Sequence, residues 1–200
     1  MKKFLIPTLA AIIGCSLQAM AASPLTGPIL NPANNHYYYL LSSDNWTGSQ
    51  SQALSLGGNL VTINDAAENA WVASTFLNYG GITRDLWTGL NDAATEGTFV
   101  WANGEAFSYS NWEPGQPDNG FGGGENYVHM YGGGTYHEAS GWQAGGWNDF
   151  QDLSLYGTFD PANGIRNIFG VVEVVPEPAT SALLLAAGSL ALWLRKHGKI

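Results

Sequence analysis

Between residues 22 and 175 this chain has no cysteine and almost no basic side chain, and those two absences most limit how it can fold. Of its 16 acidic residues only Glu177 lies outside the stretch, whereas Arg84 and Arg166 are the only bases within it. Fifteen acids against two bases leave a formal charge of −13. Such an excess repels itself unless a cation is taken up, and carboxylates select hard divalent cations, which prefer oxygen ligands. A basic nucleic-acid footprint is missing, which removes that class of partner. With no disulfide available, stability must come from an apolar core or from bound metal. The 8 Trp, 9 Tyr and 8 Phe of the chain can supply a core. Aromatic side chains equally suit sugar-binding surfaces, so their number does not decide between the two.

Both ends carry targeting features. Lys2 and Lys3 precede a mostly apolar run over 4–17, and Ala19-Met20-Ala21 forms a small-residue cleavage site, the pattern of a signal peptide over residues 1–21. Cys15 would be lost with it, the alternative being a lipoprotein attachment point. At the other end, an apolar run over 181–194 is followed by Arg195, Lys196 and Lys199. Counted from Ala179 it has 16 residues, just under the ~17–25 of a spanning helix. The basic residues after it would hold the extreme C-terminus in the cytoplasm. Pro176, Glu177 and Pro178 stand immediately before it, and this order resembles the PEP-CTERM sorting signal. The resemblance implies an exosortase-type processing enzyme, removal of the tail, and export across the inner membrane of a Gram-negative bacterium, to the cell surface, the matrix or the medium. The alternative is an uncleaved C-terminal membrane anchor. The expected organisation is therefore a signal peptide over 1–21, a linker over 22–35, one domain over 36–175 and a sorting signal with a transmembrane segment over 176–200.

Local patterns predict the elements of that domain. Residues 36–43, HYYYLLSS, read as a strand, and 49–58 as a short helix stopped by glycine. Residues 59–63, NLVTI, read as a strand. Asp65 and Glu68 have capping-box spacing ahead of a helix whose apolar face is Trp71, Val72, Phe76 and Leu77. Residues 86–90 and 98–107 read as strands, the second turning at ANGE, and 167–175 as a closing strand. Residues 108–149 are mostly Gly, Asn and aromatic loop, a length that in a compact domain is functional or disordered.

The segments LGGNLVTI, LWTGLND, EGTFVWANG, SNWEPGQPDN, GGGENYV, WND and FGVVEV, in this order, are similar to the C-type lectin-like domain over residues 36–174. The resemblance implies an α+β fold: two helices packed on small antiparallel sheets, with a long irregular calcium-binding loop region. It also implies that Gln116, Asp118, Glu125, Asn148 and Asp149 form the principal calcium site, two adjacent sugar hydroxyls completing it. The residue types suit that role. Calcium takes six to eight oxygens, which one acidic pair cannot supply. A cis bond before Pro117 would turn Gln116 and Asp118 toward one point. The glycines before Glu125 let the backbone fold back. The QPD order resembles galactose-type members, where mannose-type members carry EPN, and so exchanges donors and acceptors on the two sides of the metal. Galactose-type members also place an aromatic ring against the sugar, for which Phe121 and Trp142 are the candidates. Asp92 and Glu96 match the spacing of the family's auxiliary metal site, with Asn119 and Asn126 standing where acids would be stronger ligands.

Departures from the family stand beside these matches. The usual cysteine pairs fall at Ala53 with Val172 and at Tyr127 with Asp152, and residues 130–146 are longer than typical. Other readings are blander. Isolated Asx-Gly-Pro clusters are commonly turns, Trp87, Trp101 and Trp147 suit a core, and Asp44, Asp85 and Asp160 suit solvated turns. His129, His137 and Glu138 match no common zinc spacing, so an enzyme is not expected. The leading expectation is an exported lectin that uses calcium to bind a galactose-like glycan or exopolysaccharide. The alternative is a structural or protein-binding domain of the envelope matrix in which calcium only rigidifies loops.

Overall fold

The computed structural model describes residues 24–120, 124–133, 141–153, 155–160 and 164–177. The predicted signal peptide and most of the sorting signal lie outside them, as does the expected transmembrane segment. Pro176 and Glu177 are described and exposed. Among the described residues no helix is long and apolar enough to cross a membrane.

The elements run β1 (Thr26–Asn31), β2 (His36–Ser43), α1 (Trp46–Ser55), β3 (Asn59–Leu60), α2 (Ala66–Phe76), β4 (Asp85–Asn91), β5 (Val100–Trp101), β6 (Tyr127–Met130), β7 (Trp147–Phe150), β8 (Leu155–Asp160) and β9 (Gly164–Val174). Strand order is β1-β2-β9-β4-β6-β7. This is the expected α+β architecture with two α-helices. The sheet is mixed rather than purely antiparallel, because β4 runs parallel to β9 in the register Asp85↔Ile168, Leu86↔Phe169, Trp87↔Gly170.

Each helix starts where its capping residue dictates. Asn45 accepts a 2.9 Å bond from the Gly48 amide, so α1 begins at Trp46 rather than at the expected Ser49. Asp65 accepts from the Glu68 amide at 2.8 Å, closing half of the expected capping box. The reciprocal half is displaced: the Glu68 carboxylate takes the Asn64 amide at 2.9 Å. From α2, Asn69, Val72 and Phe76 are buried, one stripe at i, i+3 and i+7.

The core is built around β9 and β7. Val171 joins Tyr38, Leu40, Val61, Val72, Leu86 and Trp147 in the main cluster, while Val172 packs against Ala53 and Leu41 on the α1 side. With both faces covered, β9 reads as a continuous apolar run, as a central strand should. Gly170 is required there, since a Cβ would lie 2.9 Å from Leu41 Cδ1 and 3.0 Å from Ser49 Cβ. Trp147 is fully buried and is met edge-on by Trp101, Tyr109 and Trp112 at 5.7–5.9 Å. Its Nε1 donates to Asn69 Oδ1 at 2.8 Å.

Four expectations need correcting. Residues 26–31, placed in the linker, form β1 because they pair with β2 in the register Leu30↔Tyr37. The region 98–107 keeps one short strand. Asn103 Oδ1 accepts the Glu105 amide and makes the turn, but Phe107 and Tyr109 then pack their rings on the core instead of extending a ladder. Asp85 is not a solvated turn residue: it is fully buried at the start of β4, where Oδ1 accepts the Gly132 amide at 2.7 Å. Strand β8, which pairs with β9, had no counterpart in the sequence patterns. Trp87, Trp101 and Trp147 are core residues, as expected.

Candidate metal centre

Strand β7 carries Asn148 and Asp149 directly after the Trp147 anchor. Its pairing with β6 sets Val128 opposite Asp149 and His129 opposite Asn148. Because Trp147 is held by four side chains, the two polar residues that follow are delivered with little freedom. From the other side comes the 116–125 loop. The bond between Gln116 and Pro117 is cis. Carboxylate oxygens of Asp118, Glu125 and Asp149 come within 4.8 Å of one another. Glu125 and Asp149 are each 2% exposed, whereas Asp118 faces solvent.

The loop is shaped by backbone amides that point at these carboxylates. Asp149 accepts the Asp118 amide at 3.1 Å and the Asn119 amide at 2.9 Å, while the Gly120 amide donates to Glu125 Oε2. Asn119, at φ 49°, uses Oδ1 to receive the Gly124 and Glu125 amides at 2.7 and 3.0 Å. That closure brings Glu125 round, the role assigned to the glycines. Burial pushes the Asp149 carboxyl above its usual value. The two amides pull it down and the charge of Asp118 pushes it further up.

The residues present fit calcium. The donors are hard oxygens, and three carboxylates converge where their mutual repulsion calls for a cation. Gln116 Oε1 is buried with no hydrogen-bond partner among the described residues, an orphaned acceptor beside the acidic cluster. Asn148 is oriented from beneath. Its Nδ2 donates to Nε2 of the fully buried His129 at 3.1 Å, and that imidazole is held edge-on by Trp87 and Phe150. His129 is thus a positioning residue for Asn148 rather than part of a zinc group; His137 and Glu138 lie outside the described residues. Nothing in the one-dimensional pattern marks this role, since it depends on β6–β7 register.

The auxiliary cluster is assembled in part. Asp92 is buried, accepts the Gly97 amide at 2.7 Å through Oδ2, and donates its own amide to Asn126 O at 3.1 Å. Loss of hydration, with the neighbouring charges of Asp92 and Asp149, raises the exposed Glu96 carboxyl. Asn119 spends its oxygen on the loop backbone, and Asn126 contributes a backbone oxygen to Asp92.

The two aromatic candidates differ. Phe121 lies outside the described residues. Trp142 is 8% exposed and stacks edge-on against Tyr131 at 5.7 Å, so it belongs to the packed wall of the 130–146 loop rather than to an open platform. Glu113, buried three residues before Gln116, anchors the returning limb of that loop by accepting the Gln143 amide at 2.7 Å through Oε1. Gly146 must be glycine there, since a Cβ would sit 1.9 Å from the same oxygen. Sequence reasoning assigned Glu113 no role.

Residues 42–154 match the family described as Lectin C-type domain. The low affinity immunoglobulin epsilon Fc receptor of Mus musculus is 39% identical over 103 residues. That alignment takes in 52% of this chain but only 29% of the receptor. The galactose-specific lectin nattectin of Thalassophryne nattereri is 29% identical over 115 residues, 58% of this chain and 72% of that protein. Among solved structures, the mouse scavenger receptor C-type lectin carbohydrate-recognition domain aligns with a TM-score of 0.52 at 27% identity, covering 71% of this chain and 92% of that domain.

Proposed function

The chain belongs to the lectin C-type domain family, and from that premise we propose that it is an exported, calcium-dependent carbohydrate-binding protein. Its ligand is a galactose- or N-acetylgalactosamine-like residue of a glycan or exopolysaccharide. The observation that carries this is the convergence of the Asp118, Glu125 and Asp149 carboxylates within 4.8 Å, beside the unpartnered buried oxygen of Gln116. Gln116, Asp118, Glu125, Asn148 and Asp149 would hold the cation. Calcium, when bound, would offset two of the three carboxylate charges and offer remaining coordination positions to two adjacent sugar hydroxyls. Around those hydroxyls the carboxylates accept and the amides of Gln116 and Asn148 donate. The QPD order places the donor and acceptor on the sides that suit galactose-type hydroxyl geometry, and a galactose-specific relative supports that choice. Export is read from residues 1–21, and processing by an exosortase-type enzyme with transient membrane attachment is read from residues 176–200.

The test is retention of the purified protein on immobilised galactose in calcium and its release by chelator. Retention that persists in chelator refutes calcium-dependent recognition. A second reading is favoured by the burial of Trp142, which removes one candidate sugar platform: a structural domain whose loops calcium rigidifies without a sugar. In that case calcium raises the melting temperature and no added monosaccharide moves it further.

A further inference from the structure

On the side of the domain formed by the N-terminal turn of α2, the β1–β2 turn and the end of β9, three ionisable groups meet. Tyr38 is fully buried, and its hydroxyl oxygen lies 2.7 Å from Glu68 Oε1 and 3.0 Å from Glu173 Oε1. The same oxygen receives Asn34 Nδ2 at 2.7 Å, and the second hydrogen of that amide reaches Glu68 Oε1 at 3.0 Å. Glu68 Oε2 takes the Asn64 amide and Glu173 Oε2 the Thr62 amide at 3.1 Å. His36 Nδ1, at the partly exposed edge, stands 2.6 Å from Glu173 Oε1.

Counting hydrogens leaves this arrangement one short. The phenol has a single hydrogen, yet two carboxylate oxygens are within bonding distance of it. If both acids were ionised, one of them would present lone pairs to the lone pairs of Tyr38 at hydrogen-bond distance in a buried site, a contact that costs free energy. We infer that in mild acid Glu68 carries a proton and donates it to Tyr38, that Tyr38 donates to Glu173, and that His36 donates to Glu173 from the surface. The three acid–hydroxyl groups then form a proton-filled clasp tying α2 and the β1–β2 turn to the strand from which the chain leaves the domain. No residue of the calcium centre takes part.

The surrounding charges agree with this assignment. Burial comes first in raising the Glu68 carboxyl, and the charges of Glu173 and of the cap residue Asp65 add to it, against the Asn64 amide and, while the acid is ionised, a bond from the Tyr38 hydroxyl, which lower it. Burial and the charge of Glu173 likewise drive the Tyr38 phenol far upward, so it acts as a hydroxyl throughout the working range. From the facing elements, β2 contributes His36 and Tyr38 and β9 contributes Glu173. The 62–64 loop brings backbone amides, with Glu105 held beyond it on Asn64 Nδ2 at 2.9 Å. The sign follows: a carboxyl raised in the folded state stabilises below its unfolded value, and that contribution is lost as pH rises through the folded value. The clasp is complete in mild acid and loosens as pH rises through the folded value of Glu68.

Carbon-detected NMR of the full chain labelled at glutamate carboxyls tests it. Glu68 Cδ is expected to titrate above an ordinary glutamate, which lies at about 4.3. The neutral variant Glu68→Gln is expected to melt no lower than the parent at pH 7.5 and to lose most of the parent's gain in melting temperature on acidification to pH 5. Titration of Glu68 at the ordinary value overturns the inference. So does a calcium-dependent shift of Glu68 Cδ that persists in Asp149→Asn, because the pair is then a cation site. If Glu68→Gln fails to fold, the titration of the unaltered chain still decides.

Discussion

Asp149→Asn should separate the two states of the metal centre, because it acts on them with opposite sign. In the absence of calcium, Glu125 and Asp149 are both buried with oxygens no more than 4.8 Å apart. At an effective dielectric of about 20, two unit charges at that distance repel by about 3.5 kcal/mol. Asp118 adds less, since it is exposed and solvent screens it. An asparagine removes the charge and keeps one acceptor for the Asp118 or Asn119 amide, so the loss of a backbone bond, about 1 kcal/mol, offsets part of the gain. In chelator the variant should therefore melt at or above the parent. With calcium the order reverses. At 10 mM calcium and a dissociation constant of about 10⁻⁴ M, in the range of extracellular modules, linkage adds about 2.7 kcal/mol to the parent. For a domain of this size that corresponds to a rise of roughly 5–11 °C. The variant should rise by under about a quarter of that, since a cage without one of its carboxylates binds far more weakly. The assay is differential scanning calorimetry of both proteins in chelator and in 10 mM calcium at pH 7.5. A parent melting temperature indifferent to calcium, or a variant that retains the full rise, refutes the reasoning.

Other outcomes are expected from the same structure. In chelator the protein should melt higher at pH 5 than at pH 7.5, because burial raises Glu68, Glu113 and Asp149 and hydration loss raises Glu96, and stability contributed by raised carboxyls is lost as pH climbs through them; calorimetry across that range checks it. His129→Leu should weaken calcium binding about 10–100-fold by freeing Asn148, with His129→Gln recovering part of it, as read by isothermal titration. Ala53→Cys with Val172→Cys should form a disulfide where the two side chains already pack, and closing a loop of about 120 residues should stabilise by up to about 5 kcal/mol in oxidised against reduced denaturant titrations. Gln116→Glu with Asp118→Asn should move sugar preference from galactose toward mannose on a glycan array, and an unchanged preference refutes the donor–acceptor account.

At the two pairs of positions where the resemblance places the family's cysteines, other contacts fasten the chain. Ala53 and Val172 pack in one apolar cluster, so burial holds the contact that a covalent bond would have made. At the second pair, Asp152 instead caps the start of α1, taking the Thr47 amide and hydroxyl at 3.1 and 2.7 Å, while Tyr127 stacks on Trp46 at 4.6 Å. Burial, with the nearby charge of Asp152, raises the Tyr127 phenol. Two elements are still fastened at that corner, by hydrogen bonds and ring packing instead of sulfur.

The sequence by itself determined what is local or compositional. The Asp65 cap, the apolar stripe of α2, the WND anchor and the cis-compatible Gln116-Pro117 step are all written in neighbouring residues. So is the acidic excess, because a charge of −13 with no cysteine over residues 22–175 follows from counting. What pairing and packing decide was not legible. The parallel alignment of β4 with β9 joins segments some eighty residues apart, and β1 becomes a strand only because β2 offers it a partner. Asp85 reads as a turn residue until Gly132 arrives to bond it. His129 acquires its role from the register that sets it opposite Asn148. The proton-bearing group of Glu68, Tyr38 and Glu173 is drawn from three separated elements. In each case the side chain's partner is distant in the chain, so its hydration, its charge state and its role exist only once the core has closed around it.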